Sequence, residues 1–551
     1  MSTTISVLGG VGLFLLGMSV MTGGLKALAG SKLRTTLGKL AGSPLSGAFW
    51  GAIVTLIVQS SSATTMTTIG LVSAGLLTFA QGLALVFGAN VGTTGTGWLI
   101  ALIGVRVSLT AAALPMIFVG ALIKLLGRGR ASAAGASLAG FALVLFGLTT
   151  LQQGMSGLAE QFHPSDLPAV SGPGVSFWSG LVGILALILL GLVMTALMQS
   201  STAAIAVTLS AHYAGAVGLD QACALIIGQN IGTATSSAMA AIGASSTAKR
   251  LALAYIFFKL IAAVIALAFF PVTMPLLVRA SKSVDGVTLL AGYHTAFNVV
   301  GVAVLLPMID RFTRLVERIL PERASPLTRC LDPAALETPL AAEEAVRRTV
   351  ARSLETMCQS IGAALTAAKP AAGGRAGIAT APLTAASEAL RQALRFMAEA
   401  SGPPESEEEQ NRLTSTLHAV DDASRLAEVA GENTDFPTVA GGSDDVRAAE
   451  LCAEAMRHAG SIAGEVGALP DDPAPAATEG GPPEQAMAQL ERCAQTLREL
   501  QETHRNATLG SVAGGAVNAD AAMARVDAVR RLEAMAHHAW RCAAHLVASG
   551  A

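Results

Sequence analysis

Charge is what the first part of this chain lacks. Residues 1–310 hold 13 Lys/Arg and 5 Asp/Glu, whereas residues 311–551 hold 23 and 33. The two parts carry net charges of +8 and −10, leaving the 551-residue chain at −2. A stretch so poor in charge, with apolar runs of about 20 residues, reads as a polytopic membrane protein. The remainder reads as a soluble, Ala-rich helical domain. Cysteine is scarce too: six in all, with Cys330, Cys358, Cys452, Cys493 and Cys542 in the charged part. They form no CxxC pair and no Cys/His metal spacing, which points away from a disulfide framework or zinc module and toward unpaired thiols in a reducing cytosol. No His/Asp/Glu cluster and no Ser/His/Asp pattern is present. The glycines of GANVGTTGTG are followed by no GKS or GKT, so they are not a nucleotide loop. Neither an enzyme nor a nucleic-acid partner is expected. The apolar run from Ile5 has no basic residue ahead of it and reads as a first membrane helix rather than a cleaved signal peptide.

What the membrane part does contain is an excess of hydroxyls. TLIVQSSSATT at 55–65 places Gln59, Ser60, Ser61, Ser62, Thr64 and Thr65 inside an apolar segment. TALMQSSTAAI at 195–205 repeats it, so Gln59-Ser60-Ser61 aligns with Gln199-Ser200-Ser201 at an offset of 140. GANVGTT (88–94) aligns with GQNIGTA (228–234) at the same offset, pairing Asn90 with Asn230 and Gly92 with Gly232. LFLLGMSVM (13–21) aligns with LVLFGLTTL (143–151) at an offset of 130. Two copies of one unit therefore fill the first 270 or so residues.

Basic residues give the orientation of the copies. The loop expected after the first helix carries Lys26, Lys32, Arg34 and Lys39; its counterpart at 159–175 carries Glu160, His163 and Asp166 and no Lys or Arg. The positive-inside rule puts the first loop in the cytoplasm and the second outside, so the copies are inverted. The count closes only if each QSS segment is a re-entrant hairpin that enters and leaves on one side. It leaves Arg279 and Lys282 outside, against the rule. Inverted repeats with polar, broken helices at their interface mark secondary transporters.

Non-helical backbone at membrane depth survives where it lines a wet cavity or is buried in protein. A Gln-Ser-Ser tip exposes hydroxyls and the amides of a helix N-terminus, which bind anions through hydrogen bonds and the helix dipole. The same oxygens suit hard cations such as sodium. The glycines around Asn90 and Asn230 permit an unwound helix. Small polar residues in membrane helices also serve packing alone, but two QSS copies each followed by a GxNxGT segment at one spacing favour a binding site.

QSSSATT with GANVGTT, QSSTAA with GQNIGTA, and AGYHTAFN (291–298) together resemble the type II sodium/phosphate cotransporter family in its bacterial branch. The resemblance covers residues 5–310. It implies two inverted repeats whose hairpins form one site for inorganic phosphate and sodium. That site would be built from Gln59, Ser60, Ser61, Ser62, Thr64 and Thr93 in the first copy, and from Gln199, Ser200, Ser201, Thr202 and Thr233 in the second. Asn90 and Asn230 would lie at helix breaks beside it. No cofactor and no metal beyond sodium are implied. Where the family carries AHxxFN after each GxNxGT, this chain has Pro115 and Val119 in one copy and Tyr255 and Lys259 in the other. Lys259 lies nine residues beyond Arg250, about 13 Å deeper along a helix and so toward the bilayer midplane. It is a candidate charge substitute for one sodium; a lysine snorkelling to an interface is the bland alternative.

The charged part resembles a fused PhoU-like domain. Periodicity suggests helices near 341–366, 383–401, 406–430, 446–468, 483–506 and 518–549, with GALPDDPAPAATEGGPP (467–483) a loop. STLHAVDDASRLAE (415–428) and RLEAMAHHAWRCAAHL (531–546) carry that likeness. His537, His538 and His545 there are surface or packing residues before they are metal or partner ligands.

The expected fold is all-α: a polytopic membrane protein of two inverted repeats with re-entrant hairpins plus a cytoplasmic helical bundle. Its expected parts are repeat 1 (1–135), repeat 2 (136–275), an added membrane helix region (276–310), a linker (311–340) and the PhoU-like domain (341–551). The expected function is sodium-coupled transport of inorganic phosphate across the inner membrane. A phosphate exporter and a phosphate sensor signalling through the PhoU-like domain, with a cytosolic regulatory partner, are the alternatives. Arsenate would satisfy the same hydroxyls.

Overall fold

The structure, a computed structural model, describes residues 2–40, 42–104, 110–171, 175–242, 244–321, 326–367, 378–400, 404, 406–432, 443–470 and 483–549. Every regular element among them is helical, and the chain forms two compact units: Met1–Ile69 with Phe79–Glu322, and Gly70–Thr78 with Arg323–Ala551.

The first unit is built from α1 (Ser2–Leu40), α2 (Pro44–Val58), α3 (Ser61–Ser73), α4 (Phe79–Thr93), α5 (Gly95–Leu99), α6 (Thr110–Leu126) and α7 (Arg130–Ala159). It continues with α8 (Phe177–Met198), α9 (Ser201–Tyr213), α10 (Leu219–Ala240), α11 (Ser246–Ala280), α12 (Gly286–Leu305) and α13 (Ile309–Ile319). Six stretches are long and apolar enough to cross a membrane: Thr3–Ala29, Phe79–Leu102, Arg130–Ala159, Phe177–Met198, Ser246–Ala280 and Gly286–Ile319. Leu8, Phe49, Phe118, Leu189 and Val264 are exposed on this unit, as side chains facing lipid are. The chain is a multi-pass membrane protein.

Glycine spacing shows how the two copies meet. A Cβ on Gly10, Gly17 or Gly24 of α1 would run into the backbone of Leu151, Val144 or Ser137 of α7. A Cβ on Gly140, Gly147 or Gly154 of α7 would strike the backbone of Met21, Phe14 or Val7 of α1. Numbers rise on one helix as they fall on the other, so α1 and its repeat counterpart α7 run antiparallel. Helices related by the repeat yet antiparallel make the copies inverted. A glycine every seventh residue keeps the bare face of each helix toward its partner.

The same device recurs inside each copy. A Cβ on Gly51 would lie 2.1 Å from the Leu85 carbonyl oxygen, and one on Gly191 would lie 2.2 Å from that of Leu225. Gly88 meets the Ala48 carbonyl and Gly228 that of Ile188 at 1.8 and 1.9 Å. These glycines are therefore consumed by packing α4 on α2 and α10 on α8. That corrects the expectation of unwound helix at the asparagines: Asn90 lies within α4 and Asn230 within an uninterrupted α10. The chain does break in the first copy, at Thr94, where Gly95 and Gly97 lower helix propensity and the second copy has Thr235 and Ser237. A second correction concerns the expected loop after the first helix. α1 stays helical to Leu40, because Leu, Lys and Arg prolong a helix and the first proline is Pro44. The side chains of Lys32, Arg34 and Lys39 lie outside the described residues.

The second unit contains α14 (Pro339–Ala367), α15 (Thr380–Ala398), α16 (Glu407–Gly431), α17 (Ser443–Gly467), α18 (Pro483–Ala513) and α19 (Ala519–Ala548). α14–α16 and α17–α19 are two three-helix bundles joined through α14 on α17 and α16 on α19. The expected loop at 467–483 falls largely on residues 471–482, outside those described. Residues Gly70–Thr78 fold into this unit: Ala74 is in its apolar core, and Ser73 Oγ donates to Asp332 Oδ2 at 2.6 Å. All six cysteines of the chain are free and buried. His538 and Arg541 hydrogen-bond Asp422, and Arg498 reaches His537; among the described residues no group of His, Cys, Asp and Glu could hold a metal.

A buried ionic cluster fixes α14 to α16. Arg347 and Arg348 donate to Glu344 at 2.8 and 2.7 Å, while Arg412 and Thr416 donate to Glu343 at 2.8 and 2.6 Å. Burial pushes the Glu344 carboxyl up, but the Arg347 hydrogen bond and the charges of Arg347, Arg348 and Arg412 outweigh it and hold the group below its ordinary range. For Glu343 burial wins and the group is raised. A depressed carboxyl stabilises the fold above its unfolded-state pKa and loses that contribution as pH falls through its folded value. Glu344→Ala takes the carboxylate from Arg347 and Arg348, while Arg412 keeps Glu343, and is expected to cost about 3–5 kcal/mol, read as a lower unfolding temperature and faster proteolysis of this unit. The gap between the native protein and Glu344→Gln should be full at neutral pH and close in acid.

Candidate functional site

Both hairpin tips have one backbone design. α2 ends at Val58 and α8 at Met198; Gln59 and Gln199 follow with φ of 57° and 50°, the left-handed region. A side chain is disfavoured there, so something must hold it. Gln59 Nε2 donates to the Leu56 carbonyl, and its Oε1 accepts from Thr96 Oγ1 at 2.7 Å. Gln199 repeats this with the Ala196 carbonyl and with Ser236 Oγ at 2.9 Å. Each glutamine thus latches its tip to the chain beyond GxNxGT. Thr96 and Ser236, again 140 apart, are partners that sequence reading missed.

Next comes a serine cap. Ser60 Oγ accepts from the Ala63 amide and Ser200 Oγ from the Ala203 amide, both at 3.2 Å. Helix geometry leaves the amides of Ser61 and Ser62, and of Ser201 and Thr202, without intrahelical acceptors. They lie at the positive ends of the α3 and α9 dipoles.

The tips converge on one cavity of about 480 Å³. Gln59, Ser60, Ser61, Ser62, Thr93, Gln199, Ser200, Ser201, Thr202 and Thr233 all line it, so residues 140 apart stand around a common space. Thr64 is not in that lining; its hydroxyl accepts from Thr55 Oγ1 at 2.9 Å. Asn90 and Asn230 lie one helical turn before Thr93 and Thr233 and also stay out of the lining. Other lining residues were not singled out in the sequence: Ser19 and Thr22 of α1, Thr195, Ser237 and Tyr255. Tyr255 lines the cavity beside Thr233 of the second copy and Ser61 of the first. Tyr255 was visible in the sequence only as a departure from the family's histidine.

Among the described lining residues Lys26 alone carries a formal charge. Two helix N-termini, a rim of hydroxyls, one ammonium and no carboxylate make an anion site. The break at Thr94 is held from AGYHTAFN: Trp98 Nε1 donates to Thr295 Oγ1 at 2.9 Å, and Thr295 Oγ1 donates to Thr94 Oγ1 at 3.0 Å.

Comparison with known proteins gives the family. The family described as Na+/Pi-cotransporter matches residues 13–153 and 183–286. The uncharacterized protein YqeW of Bacillus subtilis is 30% identical over 320 residues, which is 56% of this chain and 96% of YqeW. The putative inorganic phosphate export protein YjbB of Escherichia coli is 32% identical over 372 residues, 66% of this chain and 65% of YjbB. The chain thus spans just under two thirds of YjbB. The rat sodium-dependent phosphate transport protein 2A is 33% identical over 99 residues, 17% of this chain and 15% of that protein. No solved structure matches.

Proposed function

The chain belongs to the Na+/Pi-cotransporter family, and on that footing we propose that it moves inorganic phosphate across the membrane with sodium as the coupling ion. The observation that carries this reading is the pairing of two equivalent hairpin tips on one cavity without a carboxylate. Phosphate takes the Ser61, Ser62, Ser201 and Thr202 amides and hydroxyls; sodium takes hydroxyl and carbonyl oxygens around them. Helix dipoles and fixed hydrogen-bond donors replace the water the anion gives up. Arsenate, with the same tetrahedral oxygens, is expected to compete.

The protein sits in the inner membrane with its C-terminal unit in the cytoplasm. Support comes from the basic Lys26, Lys32, Arg34 and Lys39 under the positive-inside rule, and from α3, which starts at the hairpin tip and whose last residue, Ser73, belongs to the C-terminal unit. That continuity also favours a regulatory role for this PhoU-like unit, answering to a cytosolic partner, through the helix that bears Ser61. Names among the relatives include both an exporter and sodium-dependent transporters, and the ion gradients set the direction of flux.

The test is radiolabelled phosphate flux into proteoliposomes holding the full chain. An inward sodium gradient should drive uptake, and replacing sodium by potassium should abolish it. Phosphate bound without flux under any gradient would make the protein a sensor instead.

A further inference from the structure

One buried charge takes no part in the lining described above. Lys259 lies in the middle third of the 35-residue α11 and is 3% exposed. Its Nζ donates to Asn230 Oδ1 at 2.6 Å and sits 5.3 Å from the centre of the Tyr255 ring. His294 is close enough to feel its charge. Among the described residues no carboxylate comes within ion-pair distance of it. A desolvated ammonium held by an amide oxygen and a π face lacks a counter-charge.

The repeat shows what is unusual here. Asn90 and Asn230 are equivalent, yet their amides face opposite ways. Asn90 Nδ2 donates to the Val86 carbonyl at 2.8 Å, which fixes the orientation and leaves a buried Oδ1 without a protein partner. Asn230 turns its Oδ1 to Lys259 and leaves Nδ2 without one. The first-copy residue equivalent to Lys259 is Val119, which is exposed on the outer face. So one asparagine oxygen is capped by a cation tethered to the protein and the other is open. Tyr255 and Thr233, which line the cavity, are one helical turn from Lys259 and Asn230 respectively.

We propose that the Lys259 ammonium is a built-in cation of the second repeat: bound to Asn230 behind Tyr255, it supplies from the protein itself the positive charge that an exchangeable sodium ion would bring. The inference rests on the phosphate-transport reading and deepens it. A transporter with one cation fixed couples one sodium fewer to each phosphate, gains less concentrating power from the sodium gradient, and runs outward at lower internal phosphate. Lys259 acts through Asn230 and Tyr255 and is a positioning residue.

The experiment measures phosphate flux in proteoliposomes against sodium concentration. Lys259→Asn should retain flux at saturating sodium while its sodium number rises by about one ion and its half-activating sodium increases. Lys259→Arg should keep the native sodium number. An unchanged sodium number in Lys259→Asn overturns the proposal, as does an inactive Lys259→Arg beside an active Lys259→Asn, which would show that a cation at this position is not what the site needs. Should Lys259→Asn fail to fold, the near-isosteric Asn230→Asp decides. A carboxylate on the ammonium should raise the phosphate KM about tenfold, 1.4 kcal/mol, at an unchanged sodium number. An unchanged KM overturns the proposal. A native protein that moves no phosphate under any cation gradient defeats the transport reading itself. Native flux with unresponsive variants defeats only the role of Lys259.

Discussion

Ser61→Ala is expected to cut the kcat/KM for phosphate by about ten- to a hundredfold, because a hydrogen bond to a charged group is worth about 1.5–3 kcal/mol. Ser61 opens α3 and lines the cavity, as Tyr255 of the other copy does. Removing its hydroxyl leaves an oxyanion facing a methyl group where a hydrogen-bond donor stood. Ser201→Ala should cost a similar amount, since Ser201 opens α9 and lines the same cavity. The serine caps, Ser60 and Ser200, are untouched, so both variants should reach the membrane folded. Sodium-driven phosphate flux at matched protein density is the check. A Ser201→Ala variant with native flux would mean that the second tip is not part of the site.

Gly10→Ala should be far more damaging to folding than Gly9→Ala, its neighbour. A Cβ on Gly10 would lie 2.5 Å from the Leu151 nitrogen and 2.7 Å from the Leu151 Cα, all backbone of α7, whereas one on Gly9 has nothing within 4 Å. Backbone cannot move aside as a side-chain tip does, so α1 and α7 must separate at this contact. About 2–4 kcal/mol is expected, at and beyond the upper end of overpacking costs. Gly9→Ala removes a poor helix former from an open face and should be neutral or gain up to about 1 kcal/mol. Thermal unfolding of the two purified variants in detergent gives the comparison. It bears on function because α1 also carries Ser19, Thr22 and Lys26 to the cavity.

Much of this architecture was legible because the membrane makes polar residues conspicuous. Polar side chains at 59–62 and 199–202 stood out against apolar neighbours; their repetition gave two copies, and the basic residues at 26–39 against the acidic stretch at 159–175 gave their inversion. Glycine was harder to read, since in a membrane helix it either lets backbone unwind or lets helices touch. Around Asn90 and Asn230 the sequence cannot distinguish these uses; the carbonyls of Ala48 and Ile188, 40 residues away in the chain, decide it. Tyr255, Thr195 and Ser19 escaped because their repeat equivalents Pro115, Thr55 and Thr149 do not line the cavity, so no pair marked them. The fate of residues 70–78 was hidden as well. Nothing in GLVSAGLLT marks a segment that folds with residues 323–551; the Ser73–Asp332 bond joins positions 259 apart.

The claim that two inverted tips share one substrate site is tested most directly by titrating phosphate into the purified full chain in sodium, by calorimetry. One phosphate per chain is expected, with Ser61→Ala and Ser201→Ala each weakening that single event about tenfold or more. Two independent binding events, or a variant in either tip that leaves the affinity unchanged, would contradict it.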